Sequence, residues 1–274
     1  MDLSTTVTLH DDVAIPQLGL GVFNADRGRQ VEESVAAALD VGYRHIDTAS
    51  IYRNEEGVGR AIAGGSVDRA DVFVTTKLWN DAQGYESTLA ALDASLERLG
   101  MDSVDLYLVH WPKPELTRDT WRAMEDLRAM GKTRAIGVSN FLPHHLDHLF
   151  EAATVAPAIN QIEFHPHLQS PEVIEYCHVH GIVVEAWSPL KRGRLLDDPD
   201  LVAIAEEHDV TTAQVVLRWM LQRGVVTIPK SVTPSRIATN ADLYGFALSD
   251  ADMAAVDAMD RKERIGPHPN HITF

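Results

Sequence analysis

Cysteine is all but missing from this chain. Cys177 is the one thiol in 274 residues, which excludes an internal disulfide and fits a reducing compartment. No activating partner stands beside it in EYCHVHGI, so it reads as a small core residue and not as a nucleophile. Long apolar runs are missing as well. A membrane helix needs about 18 apolar residues in a row, and no stretch approaches that; nor does an apolar segment of the secretory kind open the chain. Cations are scarce, with 24 Lys and Arg against 40 Asp and Glu and a formal charge of −16. Binding nucleic acid requires a basic surface, so that class of partner is excluded, and the acidity reads as a solvated exterior. A cytoplasmic protein with no membrane contact and no obligate protein partner is expected.

Other signatures are absent too. No G-x-G-x-x-G opens an early helix, which disfavours a doubly wound nucleotide-binding sheet. Pro/Ser-rich linkers, low-complexity tracts and close repeats are lacking, so 1–274 is expected to form a single domain. Thirteen histidines raise the question of a metal, but the zinc spacings are not there. His144 and His148 share a helix face only if Pro143-His-His starts a helix, and that start reads as surface with no third ligand in view. His165 and His167 flank Pro166 in a loop. No metal site is expected.

What the chain does contain is an alternation. Short apolar runs recur as QLGLG (17–21), YRHID (43–47), VFVTTK (72–77), DLYLVH (105–110), RAIGVS (134–139), AINQIE (158–163), IVVEAW (182–187) and VVTIP (225–229). Helical segments lie between most of them, with Leu89, Leu92, Leu96 and Leu99 forming one apolar stripe at helix spacing. Strands alternating with helices call for a parallel sheet, eight strands are the barrel number, and about 250 residues suffice for it. A TIM (β/α)8 barrel is expected. Gly100 and Gly131 suit helix C-terminal caps, while Pro143 and Pro171 suit first helical positions. Ahead of the first barrel strand, VTLHDDVAIPQLG reads as a hairpin turning at Asp11 and Asp12 that closes the barrel bottom.

At the C-terminal ends of these runs stand Asp47, Tyr52, Lys77 and His110. Each has an ordinary structural use: a helix cap, a half-buried ring, a strand end, a neighbour of Trp111. Four in register at the end where a parallel barrel gathers its active site point instead to carbonyl reduction. A carbonyl oxygen whose carbon accepts hydride must also accept a proton, and a free phenol, titrating near pH 10, is about three units too weak an acid. A neighbouring ammonium favours the phenolate and lowers that value. Tyr52 is then the proton donor, Lys77 the cation that acidifies it and Asp47 the anchor of Lys77. His110 supplies an imidazole N–H that positions the carbonyl.

The stretches PQLGLGVF, GYRHIDTASIYRNEEGVG, TTKLWN, VDLYLVHWP, IGVSN, NQIEFHP, SPL and IPKSVTPSRIATN carry a family resemblance. Over essentially its full length the chain resembles the aldo-keto reductases, and is especially similar to the bacterial 2,5-diketo-D-gluconate reductase branch. The resemblance implies that the tetrad Asp47, Tyr52, Lys77 and His110 performs the reduction with an extended nicotinamide dinucleotide, usually NADPH, lying across the barrel mouth. It implies carboxamide contacts from Ser139, Asn140 and Gln161 and further cofactor contacts from Gly21 and Val22. Trp187 matches the ring under the nicotinamide, where many members carry tyrosine and stacking is kept. Ser188 and Leu190 match the pyrophosphate loop. Lys230, Ser231, Val232, Thr233 and Arg236 match the pocket of the adenosine 2′-phosphate, and Asn240 an adenine contact. Thr239 and Thr233 depart from the acidic and basic residues of relatives. A ribose phosphate carries about two negative charges, which Lys230 and Arg236 suit.

Phe23, Trp79 and Trp111 match substrate-pocket walls. The connection after Trp111 is short, from Pro112 to about Asp119, and the tail RIGPHPNHITF is expected to cover the pocket but, being compact, to leave it fairly open, so broad specificity is expected. The expected activity is NADPH-dependent reduction of aldehyde or ketone groups in small carbonyl compounds, diketo sugar acids and methylglyoxal-like molecules among them. Two other classes stay open: a binding protein that keeps the barrel to sense NADPH, and a metal-dependent barrel hydrolase.

Overall fold

A computed structural model of the chain describes residues 2–9 and 12–272. It begins with β1 (Thr6–Thr8) and β2 (Ala14–Pro16), which pair antiparallel with Val7 opposite Ile15. The hairpin is thus where the sequence puts it; of its turn, Asp12 adopts φ 62° and Asp11 lies outside the described residues.

The main sheet holds β3 (Leu20–Gly21), β4 (His45–Asp47), β5 (Phe73–Leu78), β6 (Val104–Val109), β7 (Thr133–Ser139), β8 (Ile159–Glu163), β9 (Val183–Trp187) and β10 (Val226–Thr227), hydrogen-bonded in that order. Every pairing is parallel. Its two ends meet: Leu18 bridges Thr227, Gly21 bridges Lys230, and the Thr227 amide donates to Gln17 O at 2.9 Å. The sheet is therefore a closed barrel and not a doubly wound layer. A Cβ on Gly21 would stand 2.9 Å from Ile228 O, so this seam has no room for a side chain.

Outside the strands run α1 (Arg29–Val41), α2 (Glu55–Gly64), α3 (Tyr85–Leu99), α4 (Thr117–Ala129), α5 (Pro143–Phe150), α6 (Pro171–Val179), α7 (Pro199–Glu207), α8 (Thr212–Gln222), α9 (Pro234–Ala241) and α10 (Asp250–Asp257). The leucine stripe of α3 lands as expected, with Leu92, Leu96 and Leu99 buried against the sheet, and Gly100 ends the helix at φ 65°. Pro143 and Pro171 open α5 and α6. α8 starts on a capping box in which the Gln214 amide donates to Thr211 Oγ1 at 3.2 Å and the Thr211 amide to Gln214 Oε1 at 2.9 Å. α4 begins at Thr117, so the connection after Trp111 is shorter still than the sequence suggested.

Two apolar zones result. The larger fills the space between strands and helices, while the smaller gathers Leu9, Val13 and Ile15 of the hairpin with Phe73, Leu106, Leu108, Ala135, Ile159 and Val226. The hairpin thus plugs the bottom of the barrel. Side chains two apart share a strand face, so above Phe73 come Thr75 and Lys77, and above His45 comes Asp47. The interior passes from apolar at the bottom to polar at the top, and the polarity gradient is what builds a site there. Among the described residues no helix is long and apolar enough to cross a membrane.

Candidate active site

Asp47 ends β4, Lys77 lies one residue inside the end of β5 and His110 follows β6. Tyr52 closes a short 3-10 turn, Ser50–Tyr52, that is tied down where Ser50 Oγ donates to Lys77 O at 3.0 Å. These four converge. Lys77 Nζ donates to Asp47 Oδ1 at 2.6 Å, to Thr48 O at 2.9 Å and to the Tyr52 hydroxyl at 3.5 Å. All three ammonium hydrogens are spent, which fixes a side chain that is otherwise among the most flexible. The Tyr52 ring meets His110 edge-on at 5.8 Å and Phe23 at 5.0 Å.

Electrostatics refine the sequence expectation. Burial is the largest influence and works against charge on Lys77, yet the combined pull of Asp47, Tyr52 and the other acidic groups around it holds the ammonium above the usual lysine range. Burial likewise pushes the Asp47 carboxyl up, with Lys77 and Gln161 pulling it back. For Tyr52 burial is again the largest influence and the phenol ends above its ordinary value, although Lys77 lowers it. The ammonium thus acts in the expected direction without making Tyr52 a strong acid at rest. The phenol holds its proton at rest, and the Lys77 ammonium lessens the cost that burial would put on a phenolate. Burial and Lys77 together hold His110 well below the usual imidazole value, so the ring is neutral and its Nδ1 is buried without a partner.

Around this centre the cofactor candidates fall into two groups. Ser139, Asn140, Gln161 and Trp187 close in on the tetrad. Ser139 Oγ donates to Gln161 O at 2.8 Å, and Asn140 Nδ2 to His110 O at 3.0 Å. Trp187 Nε1 donates to Asn140 Oδ1 at 2.9 Å. Gln161 Nε2 donates to Asp47 Oδ2 at 2.9 Å and to Glu185 Oε2 at 2.8 Å, so its two amide hydrogens face carboxyl groups and its oxygen is the atom left for a carboxamide N–H. Asn140 and Ser188, at φ 65° and 52°, hold left-handed backbone where the chain leaves β7 and β9; strain of this kind gathers at ligand sites. Val22 is buried beside the Gly21 seam and its amide donates to Asp47 O at 3.0 Å.

The second group surrounds the start of α9. Lys230, Thr233 and Arg236 are exposed, Ser231 and Asn240 are buried, and Val232 and Leu190 are half-buried. No ion pair engages Lys230 or Arg236 among the described residues, and α9 opens without a side-chain cap. Two unpaired cations beside uncapped helix N–H groups fit a phosphate. Substrate-wall candidates sit at the same mouth: Phe23 is exposed, Trp79 half-buried against His110 at 5.1 Å, and Trp111 buried.

Three residues that sequence reasoning passed over complete the site. Glu185 is the buried carboxyl holding Gln161. Thr48 serves through its main-chain carbonyl. Glu163 anchors the tail: its Oε1 accepts from His165 Nε2 at 3.1 Å and from the Ile265 amide at 2.6 Å, and its Oε2 from the Gly266 amide at 3.1 Å. Burial opposes the charge, but these bonds hold Glu163 below its ordinary value. The tail thereby lies on Trp187, as expected of a cover, with Thr273 and Phe274 outside the described residues. A Cβ on Gly266 would stand 2.4 Å from Trp187 Cη2. Gly266→Ala is expected to cost about 1–3 kcal/mol through overpacking and to alter tryptophan fluorescence; an unchanged urea midpoint and spectrum would contradict the contact.

Cys177 is buried, its thiol pushed up to about 11 by burial. His144 and His148 meet Asn270 Oδ1 and Pro114 O at 3.0 Å each, and the described residues include no group of three or more metal-ligating side chains.

A closed α/β barrel with a buried lysine–aspartate pair under a tyrosine at its open end defines a carbonyl-reducing class of protein. Residues 17–261 match the aldo/keto reductase family model, and the chain belongs to that family. It is 54% identical to the glyoxal reductase of Bacillus subtilis (strain 168) over 272 residues, covering 99% of each chain. Among solved structures it is similar to a Gox0644 mutant in complex with NADPH, at TM-score 0.93 and 45% identity over 98% of this chain and 99% of that one. A Bombyx mori aldo-keto reductase in complex with NADP gives TM-score 0.89 at 36% identity, over 98% of this chain and 97% of that one.

Proposed function

We propose that the protein reduces aldehyde and ketone groups of small carbonyl compounds with NADPH, dicarbonyls of the glyoxal and methylglyoxal kind being its first candidate substrates. The observation that carries this is the Tyr52 hydroxyl 3.5 Å from a Lys77 ammonium that Asp47 holds at 2.6 Å. NADPH, when bound, supplies the hydride that reaches the carbonyl carbon. Tyr52 gives its proton to the carbonyl oxygen, Lys77 steadies the phenolate left behind, and Asp47 keeps Lys77 in place. Neutral His110 orients the carbonyl, with Phe23, Trp79 and Trp111 as walls. Ser139, Asn140, Gln161 and Trp187 would hold the nicotinamide end, Gly21, Val22, Ser188 and Leu190 the centre, and Lys230, Ser231, Val232, Thr233, Arg236 and Asn240 the adenosine phosphate. The B. subtilis relative's name supports the dicarbonyl choice, and diketo sugar acids belong on the same panel. A cytoplasmic setting, a single domain and action without an obligate protein partner are parts of this reading.

The test is loss of reduced-nicotinamide absorbance with glyoxal, methylglyoxal, simple aldehydes and diketones. Turnover of none of them would refute the reductase, and fluorescence quenching by NADPH without turnover would favour a sensor. Lys230→Ala with Arg236→Ala is expected to weaken NADPH about 10- to 100-fold, the loss of two charge-assisted contacts, and to leave NADH binding nearly as it was. Equal weakening of both cofactors in a titration would remove these residues from the phosphate.

A further inference from the structure

Below the tetrad lies a second carboxyl that the reaction as described does not use. Glu185 points into the barrel from β9 and is fully buried. Its Oε2 accepts from Gln161 Nε2 at 2.8 Å, while its Oε1 has no hydrogen-bond partner. His45 Nε2 stands 3.7 Å from that oxygen, too far to bond, and His45 is itself pushed down to about 3 by burial and therefore neutral. Among the described residues no charged cation is paired with Glu185. A buried carboxyl without a countercharge gives up its charge and stays protonated.

What gives this consequence is the chain of contacts above it. Gln161 bonds Glu185 with one amide hydrogen and Asp47 with the other, Asp47 bonds Lys77, and Lys77 bonds Tyr52. The groups facing Glu185 are His45 and Asp47 of β4, Gln161 of β8, Lys77 of β5 and Tyr52 beyond them; β10 sets Val226 beside it and adds nothing titratable. A negative charge at Glu185 would reach both Lys77 and Tyr52 and raise both.

We propose that Glu185 is a positioning residue for the reduction: it latches Gln161, and through it Asp47, beneath Lys77, and as a neutral group it leaves the ammonium's effect on Tyr52 undiminished. This rests on the reductase reading. Burial and the nearby Asp47 charge place its ionisation at about 8. Above that pH the cluster gains a negative charge, Tyr52 becomes a poorer acid, and reduction slows.

Glu185→Gln keeps an acceptor for Gln161 and removes the titration. In the parent kcat is expected to fall about ten-fold from neutral pH to one unit above the transition, following the protonated fraction. In the variant the ratio of alkaline to neutral kcat should be about ten-fold higher than in the parent. Glu185→Leu, which lacks the acceptor, should lower kcat at every pH while KM for the carbonyl moves little, and Glu185→Gln should rescue it. Thermal melts give a readout outside turnover. A carboxyl whose folded value is raised to about 8 costs stability increasingly from its unfolded value upward, so Glu185→Gln should match the parent near pH 4 and exceed it at pH 8. An active parent whose pH profile and melting curves are unchanged in Glu185→Gln overturns this role alone. A parent that turns over no carbonyl overturns the reductase reading and this role with it.

Discussion

Tyr52→Phe should cut kcat for carbonyl reduction by about 10²- to 10⁴-fold, the usual worth of a placed general acid. The change removes one oxygen and little else. The ring keeps its contacts with Phe23 and His110, and Lys77 keeps Asp47 and Thr48 as partners, so the barrel mouth stays assembled and the loss belongs to proton transfer. The rival donor is His110. It stands neutral at the mouth of the site, and a neutral imidazole that donates must become an imidazolate, a far weaker acid than the phenol it would replace. Steady-state rates settle the matter, together with NADPH titration to establish that the variant still binds cofactor. A Tyr52→Phe enzyme within ten-fold of the parent would hand the acid's role to His110.

The barrel was legible because its grammar is periodic. Runs such as VFVTTK and DLYLVH are buried on both faces, as parallel strands between helices must be, and the polar residue ending each run is set on the top face by chain direction alone. Asp47, Lys77 and His110 needed only that rule, and Tyr52 only the short turn after β4. Less of the electrostatics could be read. That Lys77 lowers Tyr52 follows from charge, but that burial outweighs it depends on how deeply the hydroxyl sits, which no local pattern encodes. Thr48 acts through a carbonyl and so has no side-chain signature. Glu185 did leave a signal: a carboxylate in the middle of IVVEAW is out of place in an apolar strand, and a charge interrupting such a run marks a polar interior rather than a break in the strand. Glu163 in NQIEFHP sent the same signal, and its partners lie a hundred residues away in the tail.

Lys77→Met separates what the ion pair does for the fold from what it does for the chemistry. Lys77 and Asp47 are both buried, and removing one member of such a pair costs about 3–5 kcal/mol because the other is left charged without a partner. Asp47 has an escape, which is to take up a proton. Burial already holds its folded value above the unfolded one in the parent, and without Lys77 that value rises further, so the extra penalty is small near the unfolded carboxyl range of about pH 4 and grows as pH rises toward 7. Urea unfolding across that range should therefore show parent and variant converging in acid and separating at neutral pH; a constant gap would mean that packing, not the stranded charge, sets the loss. Asp47→Asn added to Lys77→Met removes the stranded charge, and stability at neutral pH should largely return. Activity should not. With no ammonium to offset the phenolate, Tyr52 remains a buried phenol with an elevated value, and kcat in both variants is expected to stay about 10²-fold or more below the parent. A double variant that regained stability and turnover together would show that Lys77 serves the barrel alone.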